Sequence, residues 1–372
     1  MRIAQVTKYF EPHHGGIESH VLGIARDLID KGVEVLVFTS NIPECRKREN
    51  LNGIEIYRSR SFFTLSNGPF TPGIFLNLLK ENYDLIHLHL PDPFCSVFAL
   101  LTSLIRRKPL IVTYHADIIR ERGCYKILNS VYEIFLYFVL WRAKKIIATT
   151  PNYAQESRIL RKFRKKIEIV PNFVDAKRFN PDVDGEDILE TYNLKSKGIV
   201  LFLGRLVPYK GVKYLIKAFS MVKEDLRDSA LVIAGNGPLK EELKKIANEI
   251  PDIIFLEIDE EKIPQYYAIC DIFVLPSVTR QEAFGISLLE AMASGKPCIT
   301  TNISGMPYVI GDTGILVEPR DVESMSSAIK KLLQDKKLVR ELGKKARKRV
   351  EREFTLEKVI DKLDGIYCDI LE

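Results

Sequence analysis

Residues 272–301, IFVLPSVTRQEAFGISLLEAMASGKPCITT, decide the fold because they hold two apolar runs with one helical segment between them. The first run is predicted to be a strand that stops at Pro276. A helix over about residues 287–294 then ends at Gly295, and a second strand, PCITT, follows. Short apolar strands that alternate with helices are typical of parallel sheets covered on both faces.

The same alternation continues along the whole chain of 372 residues. Segments with apolar residues at helical spacing, such as 17–31 and 239–250, separate the strand-like runs. Two such series predict an α/β protein with two facing Rossmann-like domains, whose parallel sheets border an interdomain cleft. The predicted strands are RIAQVT, EVLVFT, DLIHLHL, LIVTYH, KIIATT and IEIVPN in the first half, and IVLFLG, ALVIAG, IIFLE, IFVLP and PCITT in the second.

The domain boundary is placed in residues 171–198, which contain clustered acids and no strand before Ile199. This segment is predicted to be the linker between an N-terminal domain, residues 1–178, and a C-terminal domain, residues 195–354. The final helix, about residues 355–372, follows a heavily charged helix and is a candidate to pack back on the N-terminal domain.

Composition indicates a soluble globular protein, with 46% hydrophobic and 28% charged residues. The net charge of +6 fits polyanions, phosphate ligands or anionic membrane surfaces and does not select among them. The six cysteines show no paired spacing, so neither a disulfide framework nor a zinc site is predicted. The start, MRIAQVTKYF, lacks the apolar core of a signal peptide, and a cytoplasmic protein is expected.

Residues 125–141, YKILNSVYEIFLYFVLW, come nearest to a membrane span. Lys126, Asn129 and Glu133 interrupt the segment, and its clean apolar run is shorter than the roughly 20 residues that a bilayer requires. A buried helix is the preferred interpretation, and a helix that dips into a membrane surface is the alternative.

Glycines at the end of the first strand are candidates for phosphate binding. Gly15 and Gly16 precede a helix, so backbone N–H groups and the positive helix end would point at a ligand. A loop whose glycines only permit the turn is the structural alternative. The spacing is not Gly-x-Gly-x-x-Gly, and in AGNGPLK Lys240 takes the place of the third glycine, so a nicotinamide dinucleotide site is not predicted.

Histidines mark two strand ends of the first half. His115 directly follows a strand, with Asp117 two residues later, and is the preferred functional histidine. His87 and His89 would share one strand face, and together with His115 they raise the question of a metal site. Because no set of carboxylates accompanies them, buried hydrogen-bonded histidines are preferred, and no metal is predicted.

Two cations and two carboxylates follow strands of the second half. Arg205 and Lys210 lie in the glycine-bounded loop GRLVPYKG, where they can neutralise a diphosphate. Glu282 precedes a helix, Glu290 lies one turn inside it, and the backbone at Gly285 can come close to a ligand. Carboxylates placed in this way can accept hydrogen bonds from hydroxyl groups of one ligand, for which sugars are natural partners.

These motifs, in this order, resemble the retaining glycosyltransferases of family four, the glycosyl transferases group 1 set, which have the GT-B architecture. The resemblance implies transfer of a hexose or N-acetylhexosamine, of the mannose, glucose or N-acetylglucosamine type, with retention of configuration. It implies a UDP- or GDP-sugar donor, a glycan or lipid-linked acceptor hydroxyl, and no metal or other cofactor. The segments that carry it are GGIESHV, YHAD, VPNFVD, GRLVPYKG, GNGP and EAFGISLLEAMASGKP, spread over nearly the whole chain.

The resemblance also implies roles for individual residues. Arg205 and Lys210 match the cations that stabilise the departing diphosphate, and Glu290 matches the acid that binds the ribose hydroxyls. Glu282 and His115 match residues that line the donor sugar. The implied catalytic residues are His115, Arg205, Lys210 and Glu282, and the implied donor-binding residues are Gly15, Gly16, Gly204, Gly235, Gly237, Phe284, Gly285, Ile286 and Glu290.

Two rival functions are weighed against this one. A sugar-nucleotide 2-epimerase of the same architecture would form an epimer from the donor without any acceptor. A basic, surface-binding non-enzyme is suggested by RILRKFRKK at residues 158–166, which also fits a solvated helix face or a patch for an anionic lipid-linked or phospholipid acceptor. Nucleic-acid binding is not expected. The inner face of the cell membrane is a second location to be considered beside the cytoplasm.

Overall fold

The chain forms two compact units in a computed structural model. The first unit comprises Met1–Asn172 together with Leu356–Glu372, and the second comprises Phe173–Thr355. The structure describes residues 1–13, 15–65, 68–117, 125–195 and 197–372, with residues 125–131 described by their backbone alone.

The first unit is built on a sheet that has eight strands among the described residues, in the order β10-β9-β8-β7-β1-β2-β4-β3. Neighbouring strands are parallel, apart from the antiparallel pair β3 and β4 at one edge. The strands are β1 (Arg2–Val6), β2 (Glu34–Ser40), β3 (Arg48–Leu51), β4 (Ile54–Ser59), the short pair β5 (Thr64–Leu65) and β6 (Gly68–Pro69), β7 (Leu85–Leu90), β8 (Leu110–Tyr114), β9 (Lys145–Ala148) and β10 (Ile167–Ile169).

Helices cover this sheet, and one of them comes from the far end of the sequence. The C-terminal helix, Leu356–Leu371, packs against the first helix of the unit and is joined to it by an ion pair between Lys31 and Asp361 at 2.7 Å. Its Tyr367 is fully buried. The other helices are α1 (Gly16–Asp30), α2 (Gly73–Lys80), α3 (Pro93–Ile105), α4 (Tyr125–Arg142) and α5 (Pro151–Glu156), followed by a 3-10 segment (Leu160–Lys166).

The second unit holds a wholly parallel sheet that has six strands among the described residues, in the order β13-β12-β11-β14-β15-β16. The strands are β11 (Gly198–Leu203), β12 (Ser229–Ala234), β13 (Ile253–Leu256), β14 (Ile272–Leu275), β15 (Cys298–Thr301) and β16 (Ile315–Val317). The helices are α6 (Glu186–Thr191), α7 (Val212–Asp225), α8 (Lys240–Ala247), α9 (Ile263–Ile269), α10 (Ile286–Ala293), α11 (Met306–Ile310), α12 (Val322–Gln334) and α13 (Lys336–Glu353).

The predicted α/β class with parallel sheets is confirmed, and three local expectations are corrected. The segment expected to be a linker, residues 171–198, instead contributes Val174, Phe179 and Leu194 to the core of the second unit. The heavily charged helix expected before residue 355 is two helices, α12 and α13, because Asp335 caps α13 by accepting hydrogen bonds from its first-turn N–H groups.

The helix expected to be buried near residues 125–141 is α4, and it lies at the surface of its unit. Leu136, Val139 and Leu140 face the core, while aromatic and aliphatic side chains of its opposite face are exposed. Among the described residues, no helix has both the length and the apolar character to cross a bilayer. Of the cysteines, Cys124 lies outside the described residues, and the five that are described are free thiols.

Candidate functional site

Two loops of the second unit meet backbone to backbone at the carboxyl ends of β11 and β12. Gly204 donates its N–H to the carbonyl of Ala234 at 3.0 Å, and Leu206 donates to the carbonyl of Asn236 at 2.9 Å. A Cβ atom on Gly235 would lie 2.1 Å from the Gly204 carbonyl oxygen, which no side chain can tolerate. The presence of glycine in GNGP therefore has a structural explanation. A residue without a side chain lets the loop of residues 204–206 lie directly against this segment.

A second close approach fixes the position of Lys210. The next residue, Gly211, has φ 69°, and a Cβ atom there would lie 2.1 Å from the Pro276 carbonyl oxygen. Val278 also donates its N–H to the carbonyl of Tyr209 at 2.8 Å. The loop after β11 is thus held against the loop after β14, and this contact brings Lys210 to the predicted carboxylates.

Lys210 and Glu282 form an almost fully buried ion pair, with 2.5 Å between Nζ and Oε2. Ser277 donates its hydroxyl to the same carboxylate oxygen at 3.1 Å. Burial lowers the pKa of Lys210, but the charge of Glu282, supported by Tyr209 and Glu290, outweighs it and leaves the pKa above its usual value. The lysine is therefore a fixed cation in a site of low dielectric, where its charge acts strongly on a ligand.

Gly285 begins α10 in a left-handed conformation, with φ 80°. A Cβ atom at this position would lie 2.9 Å from Sδ of Met306 and 3.0 Å from Cδ2 of Leu275, so both strain and crowding favour glycine. Phe284 is buried and packs edge-on against Phe354, at 6.0 Å between ring centroids. Its aromatic side chain thus anchors the loop in the core, and what the loop offers a ligand at Phe284, Gly285 and Ile286 is backbone.

Glu290 lies on α10 and is half-buried. The Tyr267 hydroxyl donates to its Oε2 at 2.7 Å, and the carbonyl oxygen of Ser287 lies 3.1 Å from the same hydroxyl. Burial raises the pKa of Glu290 to about 7, although the Tyr267 hydrogen bond and the charges of Arg178 and Lys210 act in the opposite direction. Glu290 therefore changes its charge near neutral pH.

Arg205 is exposed in the loop after β11. It contributes to the electrostatic environment of Tyr209, which precedes Lys210. The second unit thus carries one exposed and one buried cation on the same loop, and the buried one is paired with Glu282.

In the first unit, Gly15 and Gly16 open α1 as predicted. The buried Glu18 of the first turn folds back, so that a Cβ atom on Gly15 would lie 2.3 Å from its Oε2. In this arrangement a carboxylate lies beside Gly15, at the helix end where the sequence predicts a phosphate. An anion could approach this helix end only if the Glu18 side chain turned away.

His115 follows β8 as predicted and is buried in a cluster with two other histidines. Its Nε2 lies 3.2 Å from Nδ1 of His89, and its ring stands edge-on to His20 at 5.0 Å between centroids. Burial lowers the pKa of His115 well below its usual value, and His20 and His87 add to this effect. His115 is therefore neutral. The neighbouring Asp117 accepts hydrogen bonds from the hydroxyls of Tyr114 at 2.7 Å and Ser157 at 2.9 Å, and thus holds the loop after β8.

A chain of buried hydrogen bonds sets the tautomer of His115. Gln5 has its Oε1 2.7 Å from Nε2 of His89, so this nitrogen of His89 carries the proton and donates. Nδ1 of His89 is then an acceptor, and Nε2–H of His115 donates to it. This leaves Nδ1 of His115 unprotonated, as an acceptor.

The other end of this chain is the C-terminal helix. Gln5 donates through its Nε2 to the Tyr367 hydroxyl at 3.3 Å. Tyr367 then donates to Nδ1 of His87 at 2.6 Å, and Nε2 of His87 donates to the Thr113 hydroxyl at 2.7 Å. All hydrogen bonds of this chain therefore run in the same direction, from His115 to Thr113. Tyr367 is a positioning residue for the strand ends that carry the histidines.

Tyr367→Phe is expected to lower the free energy of unfolding by about 1–3 kcal/mol, because it leaves buried polar atoms of Gln5 and His87 without this partner. Urea unfolding measures the effect. The matched control is Tyr192→Phe, which removes the hydroxyl of an exposed tyrosine and is expected to change nothing. Equal stability of the Tyr367→Phe and Tyr192→Phe proteins would contradict the network.

The histidines that lie close enough to share a metal ion differ from the predicted set. Among the described residues, the ring nitrogens that lie within 4.8 Å of one another belong to His20, His89 and His115, and His87 is replaced by His20 in that set. Three neutral imidazoles are suitable ligands for zinc. Both nitrogens of His89 are already engaged, by His115 and Gln5, so a metal ion would have to break one of these hydrogen bonds.

Several residues around the predicted site were not predicted from the sequence. Ser277 and Tyr267 hold Glu282 and Glu290, and Gln5 and Tyr367 hold the histidines. Gln5 gave a local signal, since it is an uncharged polar residue between buried apolar residues of β1. Tyr267 and Tyr367 gave none, because an aromatic residue at helical spacing normally packs in the core.

Comparisons with known proteins identify the family of the chain. The family model described as glycosyl transferases group 1 matches residues 186–349, and the model described as glycosyltransferase family 4 matches residues 14–178. The chain is 30% identical to D-rhamnosyltransferase WbpZ of Pseudomonas aeruginosa, over 95% of this chain and 92% of that protein. It is 27% identical to O-antigen chain mannosyltransferase C of Escherichia coli, over 100% and 99% respectively.

A solved structure shows the same fold over nearly the whole length. Sucrose-phosphate synthase of Thermosynechococcus elongatus superposes with a TM-score of 0.79, at 23% identity, over 99% of this chain and 98% of that one. Two Rossmann-like units with this topology define the GT-B class of glycosyltransferases. The chain belongs to the glycosyl transferases group 1 family, and it is an enzyme that transfers a sugar. This assignment supports neither the epimerase nor the non-enzymatic alternative.

Proposed function

We propose that this enzyme transfers a hexose from a nucleoside-diphosphate sugar to a hydroxyl of a glycan or lipid-linked acceptor, with retention of configuration and without a metal ion. The observation that carries the proposal is the buried Lys210–Glu282 pair, placed on the same loops as Arg205 and Gly285 and supported by Glu290. A fixed cation of this kind is suited to a diphosphate, and the carboxylates are suited to sugar hydroxyls.

The proposed chemistry is mainly electrostatic. The bond between the anomeric carbon and the diphosphate oxygen breaks, and its electron pair stays on the diphosphate. Lys210 and Arg205 stabilise that charge, which grows in the transition state. The acceptor hydroxyl attacks from the face that the diphosphate leaves, and its proton passes to a diphosphate oxygen. Glu282 and Glu290 bind substrate in this scheme, so neither is the nucleophile of a double displacement.

In this proposal, the buried ion pair of Lys210 and Glu282 holds the donor sugar beside a cation. Glu282 has its Oε2 occupied by Lys210 and Ser277. Its second oxygen is the proposed acceptor for a hydroxyl of the donor sugar. Glu290 is assigned to the ribose, whose two neighbouring hydroxyls can both donate to an ionised carboxylate.

In the first unit, His115 is assigned to the reacting sugar, and Gly15 and Gly16 to the phosphates. The neutral state of His115 and its unprotonated Nδ1 support this role, because such a nitrogen can accept a hydrogen bond from a sugar hydroxyl. The proposal for Gly15 and Gly16 requires Glu18 to turn away from Gly15.

The names of the relatives narrow the choice of donor sugar. One relative is a mannosyltransferase and another a D-rhamnosyltransferase, so we propose a donor of the mannose type, with GDP or UDP as the nucleotide. The mannosyltransferase is named for the O-antigen chain, and for this chain we propose a glycan or lipid-linked acceptor at the inner face of the cell membrane.

Thermal stabilisation by a panel of GDP- and UDP-sugars tests the donor, and a transfer assay with the best of them tests the activity. The affinity of the best donor is expected to rise about tenfold from pH 6 to pH 8, because Glu290 must lose its proton to accept both ribose hydroxyls and its pKa is about 7. Glu290→Gln should bind more weakly, with an affinity that does not depend on pH in this range.

The ligand-free protein supplies the control. Burial favours the protonated form of Glu290, so the free energy of unfolding falls as pH rises from the unfolded pKa through about 7. Glu290→Gln should therefore be more stable than the wild type at pH 8, and this gain should vanish at pH 4. If Glu290→Gln bound nucleotide sugars as tightly as the wild type at every pH, Glu290 would not belong to the donor site.

A further inference from the structure

One face of the first unit exposes an unusual number of large apolar side chains. On α4, Ile134 is 60% exposed, Phe138 53% and Trp141 61%. On α3, which packs against α4, Leu104 is 50% exposed and Ile105 61%. Phe135, Tyr137 and Leu101 on the same two helices are exposed as well. Exposed apolar side chains that cluster in this way are typical of an interaction surface.

The carboxyl ends of these two helices are joined. Arg142, the last residue of α4, donates through Nη2 to the carbonyl of Ser103 at 3.2 Å and to that of Lys108 at 3.1 Å. Lys166, at the end of the 3-10 segment, donates to the carbonyls of Ala143 at 2.8 Å and of Trp141. The two helices and the basic segment thus adjoin one another, and we name their exposed surface the α3–α4 face.

The charge of this face is strongly one-sided. Residues 101–108, 132–145 and 158–166 contain twelve lysines and arginines, one of which, Arg106, binds carbonyls at the end of α2, and Glu133 is their one acid. Lys145 is paired with Glu168 at 2.5 Å, while Arg161, Arg164 and Lys165 are exposed. Partial burial lowers the pKa of Lys166, and the charges of Arg142 and Lys144 lower it further.

We propose that the α3–α4 face docks on an anionic lipid bilayer, with Trp141, Phe138 and Ile105 among the acyl chains and the cations at the phosphate groups. Aromatic and aliphatic side chains rimmed by lysine and arginine are the pattern by which proteins lie on such a surface without spanning it. A second copy of this chain is disfavoured as the occupant, because two faces of like charge repel each other. Nucleic acid is also disfavoured as the occupant, because it would leave the exposed aliphatic side chains without an apolar partner.

The docking surface depends on the proposed function in only one respect, the lipid-linked acceptor. Docking would hold the enzyme beside an acceptor that is confined to the bilayer. Vesicle binding can be measured without any sugar donor, and transfer can be measured with a water-soluble acceptor analogue. The two ideas can therefore fail separately.

Trp141 offers a direct probe, because it is the one tryptophan in the sequence. Vesicles of equal parts phosphatidylglycerol and phosphatidylcholine are expected to shift its fluorescence emission to the blue, and lipids brominated in their acyl chains to quench it. Vesicles of phosphatidylcholine alone should bind at least tenfold more weakly, since they lack the negative surface. High salt should weaken binding to the anionic vesicles.

Two variants test the surface itself. Reversing Arg161, Arg164 and Lys165 to Glu is expected to weaken binding to anionic vesicles by at least about 100-fold, because each cation near the surface contributes about a fivefold increase. The matched control reverses Lys336, Lys344 and Lys348 on α13, three exposed lysines of the second unit, with the same change of net charge. Phe138→Ala combined with Ile105→Ala should reduce binding and leave Trp141 as the probe.

Equal vesicle binding by the two triple variants would overturn the proposal, because net charge alone would then explain the attraction. The absence of a blue shift with anionic vesicles would also overturn it. A stable dimer in sedimentation that hides Trp141 from a soluble quencher would assign the face to a second copy of the chain and would equally refute the bilayer.

Discussion

Arg205→Ala is expected to lower kcat/KM for sugar transfer by roughly 10²–10³-fold, the usual loss when one fixed group that stabilises transition-state charge is removed. The side chain is exposed in the loop after β11, so its removal is expected to leave the free energy of unfolding unchanged. The loss should appear mainly in kcat, because the charge on the diphosphate oxygen grows as the bond to the sugar breaks.

Steady-state kinetics and a calorimetric Kd for the donor separate these two quantities. Lys217→Ala is the matched control, since Lys217 is an exposed cation on α7, the helix that follows the same loop. It should retain the activity of the wild type. Turnover of Arg205→Ala close to that of the wild type would show that this arginine does not act on the leaving group, whatever the family resemblance implies.

Lys210→Met is expected to have the largest effect, because it acts on stability and on catalysis together. It leaves the Glu282 carboxylate buried without its counter-charge, and breaking one side of a buried pair costs about 3–5 kcal/mol of unfolding free energy. Most or all transfer activity should disappear as well. A single variant cannot distinguish an unfolded enzyme from a folded but inactive one.

The double variant Lys210→Met/Glu282→Gln separates these possibilities. It removes both charges, so the stability should return to within about 1–2 kcal/mol of the wild type, while transfer remains lost. Chemical unfolding of the wild type, both single variants and the double variant completes the thermodynamic cycle. Activity in the folded double variant would contradict the proposed role of the pair in binding the donor.

Most of the buried parallel strands were predicted, because they are continuous apolar runs, but the parallel strands β4 and β16 were missed. β14 and β15 were predicted to within one residue at each end. β3 was missed because RENL is polar, and it lies at the edge of the sheet, where alternation of apolar residues is weak. The surface position of α4 was missed for a different reason. A helix that is apolar all round does not reveal which face meets the core.

Candidate site residues could be predicted where loop glycines and charges lie close together in sequence. Lys210 and Glu282 were both singled out, but their ion pair depends on Gly211 lying against Pro276, a contact that leaves no pattern in sequence. The partnership of Tyr367 with His87 spans 280 positions and has no local signal at all. The raised pKa of Glu290 likewise comes from burial, which only the folded chain reveals.

The C-terminal helix has a consequence for how the enzyme matures during its synthesis. Residues 356–371 are translated only after the whole second unit, yet their Tyr367 completes the buried hydrogen bonds of His87 and Gln5 in the first unit. The first 172 residues therefore leave the ribosome with a gap in their core, and they stay incomplete for as long as the second unit is being made. A nascent chain released early would contain every predicted catalytic residue and still lack the tyrosine that orders the histidines.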